Sequence, residues 1–186
     1  MSLDILRLDE TPDRTADSLF CFVLLAGSCA LASLALACAT PFAAFAVIGT
    51  AILPFSSALV VVTAAWLVNQ AIGFGVLGYP HDIHTLLWGA AIGLAALLAT
   101  VAAKAGLRAA SRAASLVALA LALAGAYAAY EIVLFAFTPF LGGAGSFTAA
   151  IVARIALLNL VWLIGLVAVF AAWRAFGNAR RRYAAH

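Results

Sequence analysis

The stretch P-F-A-A-F-A-V-I-G-T-A-I-L-P-F-S-S, residues Pro41 to Ser57, decides the fold of this chain. Its first proline is followed by an uncharged apolar run, residues 42–53, which as a helix would be about 18 Å long at 1.5 Å per residue. A bilayer crossing needs ~20 residues, so the run falls short of a full span. Pro54-Phe55-Ser56-Ser57 then supplies a break, because Pro and Ser favour turns. Residues 41–78 as a whole are too long for one crossing and tight for two. The reading that satisfies both facts is a short second span over about 42–53 and a full third span over about 57–77. So short a crossing is tolerated only where neighbouring protein or a cavity shelters it.

Composition makes lipid the solvent for the rest. The chain has 186 residues, 67% apolar and 9% charged, with a mean hydropathy of +1.17. A soluble domain carries roughly a quarter charged residues. Leu19–Ala39, His84–Ala103, Ala113–Phe137 and Phe147–Trp173 approach or exceed the length of a helical span. None alternates with period two, which excludes a β-barrel. The expectation is an all-α polytopic membrane protein with six transmembrane helices, the second one short. Residues 1–18 form an arm, 19–173 a single membrane domain and 174–186 a basic tail. The arm is long and acidic (Asp4, Asp9, Glu10, Asp13, Asp17), unlike the short basic opening of a cleaved signal. Cys21, Cys29 and Cys38 have neither metal nor disulfide spacing and read as small hydrophobes.

Basic residues orient the bundle. Of ten Lys and Arg, Arg7 and Arg14 precede span one, Lys104, Arg108 and Arg112 surround one internal link, and Arg174, Arg180, Arg181 and Arg182 follow span six. The links around Thr40, over Gly78–Thr85 and over Thr138–Ser146 have none. Both termini and the Lys104 link are therefore expected in the cytoplasm, with the other three links facing out. A bacterial inner membrane is the expected location.

Two ionisable side chains remain at membrane depth, where such groups are costly and usually paired or functional. Glu131 on span five and Arg154 on span six reach similar depths toward the outer side. They form either an ion pair joining two helices or part of an outward-facing polar lining, and one arrangement can do both. Asn159 extends that lining or cross-links helices. Asn69 and Gln70 diverge by about 100° on a helix, so one is expected to hold a helix contact while the other faces a cavity. Gly89 and Gly93 form a small-residue packing face on span four, and Cys29, Ser33 and Ala37, or Ala26 and Ala30, form one on span one. Thr138–Ser146, glycine-rich and uncharged, reads as a connector or a lid.

The outer link after span three carries Tyr79-Pro80 and then His81, Asp82 and His84. Two His at i and i+3 are able to share a metal, with Asp82 as a further ligand or support. Trp88 lies one turn on, as an interfacial anchor or a binding residue. The His-x-x-His pair lacks the adjacent Glu of a metallopeptidase, and no phosphate loop, catalytic triad or paired carboxylates are present, so no enzyme is expected. Nor does anything in the chain point to nucleic acid.

Six spans in a chain this short, a compressed second span, cytoplasmic termini and charge-poor outer links resemble the S-components of energy-coupling factor (ECF) vitamin transporters. The solitary cobalamin-specific S-components look nearest. The resemblance implies capture of a small-molecule vitamin, with cobalamin as ligand and no intrinsic cofactor. It also implies docking through a small-residue face on helix one to an ECF coupling subunit served by ATPases. In the cobalamin-specific proteins a loop cysteine ligates the cobalt. The matching region here, Gly78–Thr85, has none and offers His81 or His84 as the cobalt ligand, imidazole being competent for it. Tyr79 and Trp88 would then shape the rim, and Asn69, Glu131 and Arg154 would meet the ligand's polar edge. Other readings are a small cobalt- or nickel-type metal permease using His81, Asp82 and His84, and a structural accessory subunit of a membrane complex.

Overall fold

The computed structural model describes residues 14–36 and 39–184. Most of the acidic arm, together with Ala37 and Cys38, lies outside the described residues. Among those described, six α-helices follow one another without a strand: α1 (Arg14–Leu36), α2 (Phe42–Ile52), α3 (Phe55–Gly75), α4 (Ile83–Ala109), α5 (Ser115–Leu141) and α6 (Ala149–Ala184). A single 3-10 turn, Ala144–Phe147, precedes α6. All but α2 are long and apolar enough to cross a membrane. The protein is an all-α polytopic membrane protein with a short second helix, as the sequence predicts. Helix α6 continues without a break through residues 174–184.

The break between α2 and α3 follows from Pro54. Leu53 is driven into extended backbone (φ −101°, ψ 157°), the conformation a following proline favours. Within α5, Pro139 cannot donate to the Phe135 carbonyl; the Thr138 hydroxyl donates there instead, at 2.8 Å. Thus α5 runs unbroken through its proline to Leu141.

Short as it is, α2 is the hub of the bundle. Ten of its eleven residues are buried, and it packs against all five other helices. Phe42, Phe45, Val47 and Ile48 are fully covered. The sheltering that a short crossing requires is supplied by protein on every side. Helices α4 and α5 pack along each other, and both bury alanines (Ala95, Ala99 and Ala103; Ala118, Ala122 and Ala126). Backbones approach closely there, and a side chain at Gly106 would come within 2.9 Å of the Ala122 Cα. Small residues stabilise membrane helix pairs by allowing such approach. Gly89 and Gly93 do the same for α3. Trp66 covers Gly93 and donates from Nε1 to the Gly89 carbonyl at 2.9 Å, and a Cβ on Gly89 would collide with the Gln70 carboxamide.

Helices α1 and α3 run side by side in the same direction. The Cys29 thiol donates to the Ala65 carbonyl at 3.0 Å, and Asn69 Nδ2 donates to the Ser33 hydroxyl at 2.9 Å. The Cys29–Ser33 face, expected to dock a partner, is therefore spent inside the molecule on α3. Cys21 and Cys29 are buried and unpaired by disulfide.

Candidate ligand-binding site

The shortness of α2 creates the site. The Thr40 hydroxyl, just ahead of α2, accepts from Asn69 Nδ2 at 3.0 Å. Asn69 is six residues short of the α3 end, which places this floor about 9 Å below it. From α6, Asn159 Oδ1 accepts the Ala44 amide at 3.0 Å, ten residues past the α6 start, or about 15 Å along that helix. Asn159 thus caps α2: it accepts one of the first-turn N–H groups that every helix leaves unsatisfied, at a depth where no water would serve. Its own Nδ2 donates to the Ile155 carbonyl at 3.0 Å, so the side chain joins α6 to α2.

Above α2, where α3 to α6 continue, lies a cavity of about 430 Å³. Ala39 and Thr40 form its floor, Trp88 and Ile92 one wall, Tyr130, Glu131 and Leu134 another, and Ile151 and Ile155 a third. Gly143, Ser146 and Phe147 line it from the connection between α5 and α6. Phe42 supports the Tyr130 ring from below, with centroids 6.2 Å apart. Glu131 is the one carboxylate among the residues lining the cavity, half-buried in an otherwise apolar and aromatic wall. The Tyr127 hydroxyl one turn earlier donates to the Val152 carbonyl at 2.6 Å.

A second cavity of about 290 Å³ adjoins the first, and Trp88 and Ile92 line both. Its other walls are Asn69, Gln70, Phe74, Tyr79, Pro80, Thr85 and Gly89. Asn69 holds a helix contact, with Ser33 of α1, while Gln70 faces the chamber. Their side chains bend together, Gln70 Nε2 donating to Asn69 Oδ1 at 3.1 Å, and both line this chamber.

Over the two cavities sits the connection between α5 and α6. Gly142 and Gly143 adopt positive φ (67° and 83°), which glycine reaches without steric cost. The Leu141 carbonyl just before them, left without a helical partner, accepts from His84 Nε2 at 2.6 Å and from Trp88 Nε1 at 3.2 Å. A carbonyl only accepts, so His84 carries its proton on Nε2. His84 therefore anchors this connection, and its Nε2 is engaged. His81 packs against Phe74 with ring centroids 5.3 Å apart. Asp82 caps α4: its Oδ1 accepts the Thr85 amide at 2.8 Å and its Oδ2 the Thr85 hydroxyl at 3.1 Å. The Thr85 amide, foremost, holds this carboxyl below the usual carboxylate range. Among the described residues no three His, Cys, Asp or Glu side chains come together as a metal site.

Of the residues expected at the site, Trp88 and Glu131 line the first cavity, and Asn69, Tyr79 and Trp88 the second. His81, His84, Arg154 and Asn159 line neither. Arg154 is exposed on the outer face of α6 and does not reach Glu131, so the ion pair that served as one reading does not form. On a lipid-facing surface near a helix end, an Arg side chain extends toward the headgroups. Thr40, Ile92 and Phe147 were not foreseen; nothing in their immediate sequence sets them apart from other apolar or link residues.

No family model, curated protein or solved structure matches the chain.

Proposed function

We propose that this protein captures a small organic molecule from outside the cell and holds it near the outer face of the membrane, as S-components do for vitamins. What supports the reading most is the lone Glu131 carboxylate in the first cavity. Aromatic and aliphatic walls of 300–1,000 Å³ with a few placed polar groups are the usual form of a small-molecule site. A carboxylate facing Trp88, Tyr130 and Phe147 suits a ligand with an apolar or aromatic body and one cationic nitrogen, since rings also attract cations. The links lacking Lys and Arg lie at this end of the bundle, which by the distribution of basic residues faces out.

A corrinoid, the ligand that the resemblance implies, is much larger than either cavity. It would have to displace the connection at Gly142–Phe147 and free His84 from the Leu141 carbonyl before an imidazole met its cobalt. The smaller cation needs neither change. Delivery across the membrane would fall to a coupling subunit and its ATPases, for which the chain carries no phosphate loop of its own.

The test is a thermal-shift and calorimetric screen of aromatic amines and N-heterocyclic cations of vitamin size, on protein in lipid nanodiscs. At least one compound should bind, and Glu131→Gln should weaken it roughly tenfold to a hundredfold, the span of a charge-assisted hydrogen bond. If no compound binds, or if the variant binds them all equally well, the reading is wrong.

A further inference from the structure

Residues Trp88 and Ile92, one turn apart on α4, are common to both cavities and form the ridge between them. The chemistry on the two sides differs. One side has the Glu131 carboxylate. The other has no acidic or basic side chain in its lining but has the Gln70 carboxamide, the Thr85 hydroxyl and the Phe74 and Tyr79 rings. Gln70 spends one N–H on Asn69, and the Thr85 hydroxyl is engaged with Asp82. The Gln70 carbonyl oxygen lies against Gly89 of α4, which leaves the second carboxamide N–H as the donor that faces a ligand. The ridge itself is held in place, since the Trp88 indole donates to the Leu141 carbonyl.

Building on the reading of Glu131 above, we propose that the two cavities are one bipartite site, and that its ligand is an elongated aromatic amine ending in a neutral planar hydrogen-bonding group. The cationic nitrogen meets Glu131, the ring crosses the Trp88–Ile92 ridge, and a carboxamide or N-heterocycle edge pairs with Gln70. Such an edge offers a carbonyl or ring-nitrogen acceptor to the remaining Gln70 N–H. Gln70 is thus a specificity-determining residue, and Trp88 sets which ring shapes pass between the chambers. Nothing in the second chamber would neutralise a charge, so a second charged end is excluded by its desolvation cost.

Two probes separate the chambers: 2-phenylethylamine, which needs only the first, and 4-(2-aminoethyl)benzamide, which adds a carboxamide at the far end. Calorimetry in nanodiscs should show the benzamide binding about threefold to tenfold more tightly, the range of one or two neutral hydrogen bonds. Gln70→Met, close in size and apolar, should remove that advantage while leaving 2-phenylethylamine unchanged, which also reports that the variant is folded. Phe74→Leu, on the chamber's far wall, should likewise affect the benzamide alone. If the benzamide has no advantage, or if Gln70→Met weakens both probes equally, the bipartite site is refuted while capture at Glu131 stands. If neither probe binds the unaltered protein, the assignment of amines to the first chamber fails, and the bipartite ligand fails with it.

Discussion

At the scale of single residues, polar side chains inside this bundle divide into those that hold backbone and those that face a void. Asn159 belongs to the first group. Replacing it with Leu leaves the Ala44 amide without a partner, at a cost of about 1–2 kcal/mol. A lower thermal midpoint in detergent, with amine binding retained in the folded fraction, is the expected result. Asp82 acts likewise at the α4 start, and its pH dependence has a defined sign. The folded carboxyl has the lower pKa, so its contribution is complete above the unfolded value and disappears as pH falls through the folded one. Amide exchange over residues 83–85 should therefore accelerate in acid, at pH values below the usual carboxylate range. In Asp82→Asn that acid step should be missing. Sequence alone brought Glu131 and Trp88 to attention, because a carboxylate at membrane depth is costly and a Trp near a boundary is placed for a reason. It did not reveal the partner of His84, a carbonyl 57 residues away, set by tertiary packing and by no local pattern.

At the scale of elements, Pro54 acts through its own backbone geometry, which is why the division of residues 41–78 into a short and a long helix was legible. Helix faces were not. α5 and α6 are apolar all around, so nothing in the sequence distinguishes the side of Glu131, turned inward, from that of Arg154, turned out. The glycine face of α4 was legible in outline, since small residues four apart permit close approach. Its partners, Gln70 and Trp66, were not. Gly93→Val puts branched carbon where the Trp66 ring now lies, 2.7 Å from a Cβ at that position. Overpacking of this kind costs about 1–3 kcal/mol. We expect a reduced thermal midpoint and weakened binding of the benzamide probe, whose chamber shares the α3–α4 wall; an unchanged midpoint would mean that the two helices are not held at this crossing.

For the whole molecule, the distribution of Lys and Arg makes a prediction about sidedness. A cysteine placed at Ser146 should react with a membrane-impermeant maleimide from outside intact cells, whereas one at Ser111 should react only after permeabilisation. Cys21 and Cys29 are buried and should stay silent, with Cys38 replaced to remove its thiol from the assay. Labelling in the reverse pattern would invert the bundle and point the cavity at the cytoplasm. The central helix also has a consequence for biogenesis. At eleven residues α2 reaches about 17 Å, little more than half of a ~30 Å hydrocarbon core, so it has no stable resting place in lipid by itself. Four of its five neighbours, α3 to α6, are synthesised after it. Until the ribosome has delivered Asn159, the Ala44 amide has no acceptor from α6 and the floor beneath Glu131 is unfinished. Assembly of the pocket is thus a late event in synthesis, and a nascent chain halted before α6 should be open to quality-control proteolysis at the residues that later lie deepest.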